Sequence, residues 1–592
     1  MLALPYGIAD FPTLIKAGYE YVDRTAHIHD LESLGRHLLF VRPRRFGKSL
    51  WLSTLAAYYD LRTASEHEQL FGRLAIGREP TPEAHRYFVL RWDFSWISSL
   101  GSPEQIAAAL DDYVNTALEG FLVDYADFLP PVERHTDAKI TFLAVLGVIR
   151  RSGHPLYLLI DEYDNFANEV MTRDEAVYGD LVHGAGPFKA LMKAVKAATQ
   201  GEGLERLFVT GVSPVVMSDL SSGMNMLVDV YLRPELSALC GFKDAEIEGL
   251  LQRIQAATEP APTWNVEPLR ATIRDWYNGY SFSTRASERV YNPTMALSFL
   301  DHLQRYGETP RQLLDPNLAA DQDKLRFVGR IVAGQQILLD VIQSDTPLEI
   351  PDLTSRFTLS EMLDLSAGDA TLVGSYLFYF GMLTLSGETE ARDLRLVPPN
   401  LVVRKLYAEQ ILGLLLPDAQ GRRALHAPAR VLMKRGEIQG FLRFVEEKIF
   451  AVLSNRDYLW MDEHGVKIAF HALLFDDISY LVLSEPELGR GFADLCLLRR
   501  FDRPSPALFD LLFEFKYVKP GELGLTGEAL RQMGREELER LDGVEGRLAE
   551  AEVQLKRYRE ALRDRYGEKL RLRAYAVVAL GFERLVAREV VG

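Results

Sequence analysis

Three groups of residues have the types and spacing that chemistry on phosphates requires. The first is Gly47-Lys48-Ser49, which closes the basic turn Arg42-Pro43-Arg44-Arg45-Phe46. Backbone N–H groups at a helix start can cradle phosphate oxygens, helped by the helix dipole. Lys48 would reach the terminal phosphates, and Ser49 would hold Mg²⁺ through its hydroxyl. The second is Asp161-Glu162: Asp161 would hold Mg²⁺, and Glu162 would polarise an attacking water. The third is Asp494 with Glu514-Phe515-Lys516, spaced as Asp-x19-Glu-x-Lys. Two carboxylates so placed could bind one or two divalent cations, while Lys516 orients or deprotonates a water that attacks a phosphodiester. Each group also has a plainer reading: a basic strand-to-helix turn, a strand ending in an acidic turn, a salt-bridged hairpin.

The flanking sequence says which elements must carry these groups. Leu38–Val41 is apolar and suits a buried strand, and Leu50–Ala56 reads as a helix, so the first group falls on a strand–loop–helix unit. The usual phosphate loop has Gly five residues before Gly47, where Arg42 stands here. Pro43 fixes its own φ and restricts Arg42 to extended geometry, which predicts a stiffer and more basic cradle. Leu156–Ile160 is a second buried strand that discharges into Asp161-Glu162, the Walker B layout. Arg86–Trp92 is a strand between the two, Arg206–Gly211 a fourth, and Leu227–Leu232 a fifth. Thr210 or Ser213, at the polar end of the fourth, could sense a terminal phosphate. An extra strand between the motifs, with Glu beside the Walker B Asp, suits the ATPase branch that includes the AAA+ proteins. Helices are expected at 28–36, 103–120, 138–151, 244–256 and 265–276. The stretch 374–385 followed by 394–400 reads as a helix and a small hairpin, with a winged-helix module as one option.

The last 120 residues or so change character. Strands are expected at 480–484, 492–498 and 507–518, a helix at 546–565 and a final strand at 570–580. In the third strand, Phe513, Phe515 and Tyr517 face one way, and Glu514 and Lys516 the other. Gln554 and Tyr558 share one helical face. The order αβββαβ with these residues is the PD-(D/E)XK nuclease pattern. Its usual first-helix acid has no clear counterpart: Lys467 stands near that place, and Asp462 and Glu463 lie further back.

Bulk properties bound the rest. At roughly 100–200 residues per domain, 592 residues make three or four domains. Apolar and charged fractions of 47% and 25% are those of globular protein. A net charge of −16 argues against a surface coated for non-specific nucleic-acid binding, so any such contact must be local. Cys240 and Cys496 are the two cysteines, too few for a disulfide framework or a cysteine zinc site, and a cytoplasmic setting fits. No signal peptide and no membrane span are expected.

With these motifs in place, the chain resembles a bacterial family with an AAA-ATPase-like N-terminal domain and a C-terminal PD-(D/E)XK nuclease-like domain. The resemblance rests on Gly7–Phe11, Tyr21–Thr25, Arg42–Ser49, Ile160–Asp164, Thr210–Ser213, Trp276–Phe282, Tyr291–Pro293, Asp494, Glu514–Lys516 and Gln554. In that family the Arg-Pro-Arg-Arg-Phe-Gly-Lys run is the usual form of the loop. The resemblance implies an α/β chain with four parts: an ATPase domain over 1–240, a helical lid over 241–400, a helical connector over 401–465 and a nuclease-like domain over 466–592. It implies ATP and Mg²⁺, with Mn²⁺ as a second option at the nuclease site. Arg42, Pro43, Arg44, Arg45, Phe46, Gly47, Lys48, Ser49, Asp161 and Thr210 would bind nucleotide. Glu162, Asp494, Glu514, Lys516, Gln554 and Tyr558 would be catalytic, and Ser49, Asp161, Asp494 and Glu514 would hold metal. DNA before RNA is the expected partner, a homo-oligomer is open, and a role in defence against phage or mobile elements is suggested. Two rivals stand beside an ATP-controlled nuclease: a nucleotide-dependent switch or scaffold that binds nucleic acid without cutting, and a purely regulatory ATPase.

Overall fold

The apolar runs become the strands of two sheets in the computed structural model. The structure describes residues 1–165, 180, 186–214, 224–258, 264–313, 325–326, 328, 337–338, 341, 347–354, 369–450, 463–476, 478–484, 488, 493–500, 505–567 and 570–590. The chain groups into two compact units: Met1–Glu308 with Glu349–Pro399, and Thr309–Leu348 with Asn400–Gly592. Residues 241–308 and 349–399 fall in the same unit as the phosphate-loop segment.

In the first unit, β1 (His37–Val41), β2 (Phe88–Asp93), β3 (Leu156–Asp161), β4 (Leu204–Gly211) and β5 (Val228–Asp229) form one sheet in the order β2-β3-β4-β1-β5. All its pairs are parallel. β3 is buried at every position and β1 at all but its first, as strands covered on both faces must be. β4 lies between β1 and β3, so the loop after β1 and the acids after β3 emerge at the same carboxyl edge. The expected fifth strand shrinks to Val228–Asp229.

Helix boundaries follow local chemistry. Ser102 and Gln105 form a reciprocal capping box that opens the helix Pro103–Asp124. Asn292 caps Pro293–Tyr306. The helix Ala370–Tyr379 is followed by the antiparallel pair β7 (Thr384–Glu388) and β8 (Leu394–Val397), which share a small sheet with β6 (Leu348–Ile350).

In the second unit, β9 (Tyr480–Ser484), β10 (Leu495–Arg499), β11 (Asp510–Val518), β12 (Leu572–Leu580) and β13 (Arg584–Glu589) make a mixed sheet in the order β13-β12-β11-β10-β9. β11 and β12 are parallel, and the other pairs are antiparallel. The helix Asp542–Tyr566 covers one face, where Leu555 and Tyr558 share a core with Leu512, Val518 and Val578. On the other face, Phe470 of the helix Glu463–Leu474 meets Phe513 and Phe515 at 5.8 and 4.9 Å between ring centres. Two expectations change. The strand read over 570–580 is not the last, because β13 returns against it. Asp494 stands just before β10 rather than inside a strand, its carboxylate taking the Phe515 N–H in place of a ladder bond. Phe492, Asp462 and the start of the strand read over 492–498 lie outside the described residues. Among the described residues no helix is long and apolar enough to cross a membrane.

Candidate functional site

The loop begins where β1 ends. Arg42 still pairs with β4 through its N–H to the Gly211 carbonyl at 3.1 Å. Its guanidinium turns inward, 1% exposed, and donates to the carbonyls of Val41, Tyr231 and Leu236 at 3.0, 2.7 and 2.9 Å. It lies over the rings of Phe40 and Phe282, 4.4 and 4.0 Å from their centres. Burial pulls its pKa down to about 9, which still leaves it cationic at neutral pH. The side chain is thus spent on the fold, whereas the sequence reading counted Arg42 among the nucleotide-binding residues.

The rest of the loop is held from below. Phe46 is buried edge-to-face against Tyr280 and Phe282, with ring centres 4.9 and 5.4 Å apart. Gly381 approaches Pro43 so closely that a Cβ there would sit 2.9 Å from the proline Cβ. Gly279, at φ +104, leaves no room either: a Cβ would lie 1.8 Å from the Pro399 carbonyl oxygen. The corner Trp276–Phe282 therefore serves as the floor of the loop. Arg45 takes φ +69, and its carbonyl accepts the Thr294 hydroxyl at 3.1 Å. Arg44 donates to the Asn165 side chain at 2.9 Å. Gly47 takes φ +96 and starts the helix Lys48–Tyr59.

Lys48, 4% exposed, donates to the carbonyls of Arg42 and Pro43 at 3.2 and 3.3 Å. Its ammonium lies 3.6 Å from Glu162. The Ser49 hydroxyl is near enough to Asp161 to favour its ionised form, so the loop and the end of β3 come together. Burial pushes the Asp161 carboxyl up to about 6, with Glu162 and Asp93 adding to the shift and Ser49 and Lys48 opposing it. Asp93 ends β2 in register with Asp161, a neighbour that the sequence reading did not single out. Glu162 takes φ +47, an uncommon conformation for its type. Asp164, fully buried, accepts the N–H groups of Val212 and Ser213 and ties this turn to the end of β4. The hydroxyls of Thr210 and Ser213 are buried without a hydrogen-bond partner among the described residues.

Beside the loop opens a cavity of about 300 Å³. Gly47, Lys48, Ser49 and Glu162 contribute polar lining. Ile8, Val22, Leu239, Phe242 and Pro293 contribute apolar lining. Tyr21 and Arg24, from the segment before β1, line this space. Arg24 fixes that segment by a bidentate pair with Glu246 at 2.6 and 2.7 Å and a bond to the Gly241 carbonyl at 2.9 Å. The 239–242 wall escaped sequence reading. Its one local signal is Gly241, at φ +115, where a Cβ would press within 2.8 Å of Val290. A cradle of this size, with basic, hydroxylic and apolar lining, fits a nucleotide, and Ser49 and Asp161 are the residues that could hold Mg²⁺ beside it.

A second set of charges sits at one end of the mixed sheet. Asp494, at 9% exposure, accepts the Phe515 N–H at 2.6 Å and pairs with Lys467 at 2.5 Å. Lys467 also lies 3.5 Å from Glu463, one turn back on its helix. Glu514, at 3% exposure, pairs with Lys516 at 3.1 Å through one oxygen, while the other is buried with no partner among the described residues. Burial and then Asp494 raise the Glu514 pKa, and Lys516 and Lys467 oppose them. Gln554 and Tyr558 come from the helix on the face that Glu514 and Lys516 share, where the Gln554 carbonyl oxygen is buried without a partner among the described residues. Two carboxylates here stand against two ammonium groups. Among the described residues no group of three or more His, Cys, Asp or Glu converges as a metal site.

Similarity to known proteins covers the first unit more specifically than the second. A family model described as an AAA-ATPase-like, predicted AAA-ATPase matches residues 5–221, the span that carries the parallel sheet, the loop and Asp161-Glu162. The chain is also 25% identical over 539 residues to an uncharacterized protein in the vnfD 5′ region of Azotobacter chroococcum mcd 1, a match that covers 90% of this chain and 92% of that protein.

Proposed function

We propose, from the AAA-ATPase-like domain over residues 5–221, that the protein binds and hydrolyses ATP and that its second unit acts on nucleic-acid phosphodiesters. The observation that carries the first half is the convergence of Lys48, Ser49, Asp161 and Glu162 beside one cavity. Lys48 exchanges the Arg42 and Pro43 carbonyls for phosphate oxygens. The helix Lys48–Tyr59 directs its free N–H groups at the same anion. Ser49 and Asp161 hold Mg²⁺, which supplies charge neutralisation on the phosphates. Glu162 orients and polarises the attacking water. Ile8, Val22, Phe242 and Pro293 hold the base and exclude solvent from it. Lys48→Ala is expected to abolish ATP hydrolysis, and an unchanged rate would reject this half.

For the second unit, the order of strands and the placement of Asp494, Glu514, Lys516, Gln554 and Tyr558 support a PD-(D/E)XK-like phosphodiester site, with DNA favoured over RNA. Degradation of plasmid with Mg²⁺ or Mn²⁺ that vanishes in Asp494→Ala is the expected result. Cleavage that persists in that variant would sink the assignment. The ion pair of Lys467 with Asp494 favours a second reading, in which the unit binds nucleic acid without cutting and the ATPase acts as a switch. That reading expects a DNA gel shift with no metal-dependent cleavage. A role in defence against phage or mobile elements is the setting that the family resemblance suggests, with a homo-oligomer left open.

A further inference from the structure

The second unit holds a basic cavity that none of Asp494, Glu514 and Lys516 lines. It has a volume of about 540 Å³ and lies where the helix Asp542–Tyr566 ends and β11 and β12 begin. Arg559, Arg563 and Arg571 line it with Phe509, Leu570 and Leu572, and no carboxylate is among its described lining residues. The Arg571 guanidinium lies 4.7 Å from the centre of the Phe509 ring. It has no hydrogen-bond acceptor and no ion-pair partner among the described residues. Arg573 lies equally close to that ring, but it is paired with Glu589 at 2.6 Å. Arg559 donates through one terminal nitrogen to the Val590 carbonyl at 2.7 Å, and its Nε is buried with no partner among the described residues. Burial, and then the charge of Arg563, lower the Arg559 pKa, while Glu589 opposes them. Cations in the last turn of a helix answer its dipole, which accounts for Arg563. Arg571 comes from the sheet side and has no such reason to be there.

We propose that Arg559, Arg563 and Arg571 form a binding site for the phosphate of a nucleotide unit, carried either by a nucleic-acid strand or by a free nucleotide. Guanidinium forks hold phosphate oxygens through paired N–H donors, and a stacked guanidinium keeps those donors available. Three like charges around one space repel one another, and a phosphate entering that space relieves the repulsion. The chain carries a net charge of −16, so a polyanion needs a local basic pocket of this kind. Leu570 and Leu572 give the cavity an apolar wall, and its volume leaves room for the sugar attached to the phosphate. Phe509 stands five positions before Glu514, so the cavity lies roughly 17 Å along β11 from that carboxylate. The inference uses none of the groups of the phosphodiester reading and does not depend on it.

The test is labelling of the full chain with an arginine-specific dicarbonyl, read residue by residue by peptide mass spectrometry in the absence of metal. The probes are pyrophosphate, ADP and a terminally phosphorylated single-stranded DNA oligonucleotide. Arg563 and Arg571, both exposed, should label more slowly when a probe is bound. Protection by the oligonucleotide at concentrations where ADP gives none assigns the site to a strand, and the converse assigns it to a free nucleotide. Titration calorimetry with the same three probes gives a second reading, in a Lys48→Ala chain so that the loop after β1 competes less for phosphate. Adding Arg563→Gln and Arg571→Gln there should weaken binding of the protecting probe roughly tenfold or more. Arg571→Lys, which keeps the charge and loses the fork, should weaken it less. Both altered residues are exposed, and thermal unfolding should stay unmoved. Labelling that no probe slows at saturation would overturn the proposal, as would equal binding by the doubly altered chain. Protection that persists in Asp494→Ala, with no plasmid cleavage in any variant, would leave this site standing while removing the nuclease reading.

Discussion

At the scale of single residues, Asp161 carries the sharpest expectations. Its folded pKa of about 6 lies above its ordinary value of 3.8, so between those values the folded chain holds a proton that the unfolded chain releases. Stability from this group is therefore present at low pH and is lost as pH rises through that window. Binding of Mg²⁺ needs the ionised form, so ATP hydrolysis should decline as pH falls below about 6. Asp161→Asn removes the buried charge. It should stabilise the nucleotide-free chain at neutral pH by on the order of 1–3 kcal/mol in thermal unfolding while abolishing hydrolysis. Arg42→Ala should do the reverse of what a phosphate ligand would do. It leaves buried carbonyls of Tyr231 and Leu236 without a donor, at a cost of roughly 3 kcal/mol in unfolding free energy. Gly47-Lys48-Ser49 and Asp161-Glu162 were legible because each follows an apolar run that can only be a buried strand. The role of Arg42 was not, since its acceptors lie 189 and 194 residues away and no local pattern encodes them. Lys467 was noticed only as standing where an acid was expected; its pairing with Asp494 joins a helix to a strand end, which sequence spacing does not specify.

At the scale of elements, the loop depends on a corner remote in sequence. Gly279 must keep φ +104 against the Pro399 carbonyl, and from there Tyr280 and Phe282 brace Phe46. Gly279→Ala should lower stability by roughly 2–4 kcal/mol and slow ATP hydrolysis with it, because both the backbone strain and the displaced rings act on the loop. Thermal unfolding and steady-state rate, measured on the same preparation, check the coupling. A variant that unfolds earlier yet hydrolyses normally below its transition would separate floor from loop. From residues 276–282 alone, an aromatic cluster around a turn reads as a packed corner more readily than as a lid contact. Only the tertiary partner tells them apart, and it turns the packed corner into part of the site. Most strands were legible for the opposite reason, as short apolar runs bounded by polar turns. β13 was not, because Arg584, Arg588 and Glu589 frame a buried stretch of only three residues.

At the scale of the whole chain, the two units are interleaved: the first resumes at Glu349 after the second has taken Thr309–Leu348. The late part of the first unit is not decoration. Phe378 meets Phe282 at 6.3 Å between ring centres, Tyr379 meets the Tyr231 hydroxyl at 3.3 Å, and Gly381 seats Pro43. A fragment ending at residue 308 should therefore lose ATP hydrolysis, whereas one ending at 399, with 309–348 replaced by a Gly/Ser linker, should still bind a fluorescent ATP analogue. Equal binding by both fragments would show that the returning segment is dispensable. That segment also imposes an order of events on synthesis. A chain emerging from the ribosome presents Gly47-Lys48-Ser49 early, but the residues that floor the loop come out hundreds of positions later. Domains generally fold as units while the chain is made. Here the residues that complete the first unit, 349–399, emerge only after 309–348, so a nascent chain shorter than about its first 400 residues should fail to bind a fluorescent ATP analogue.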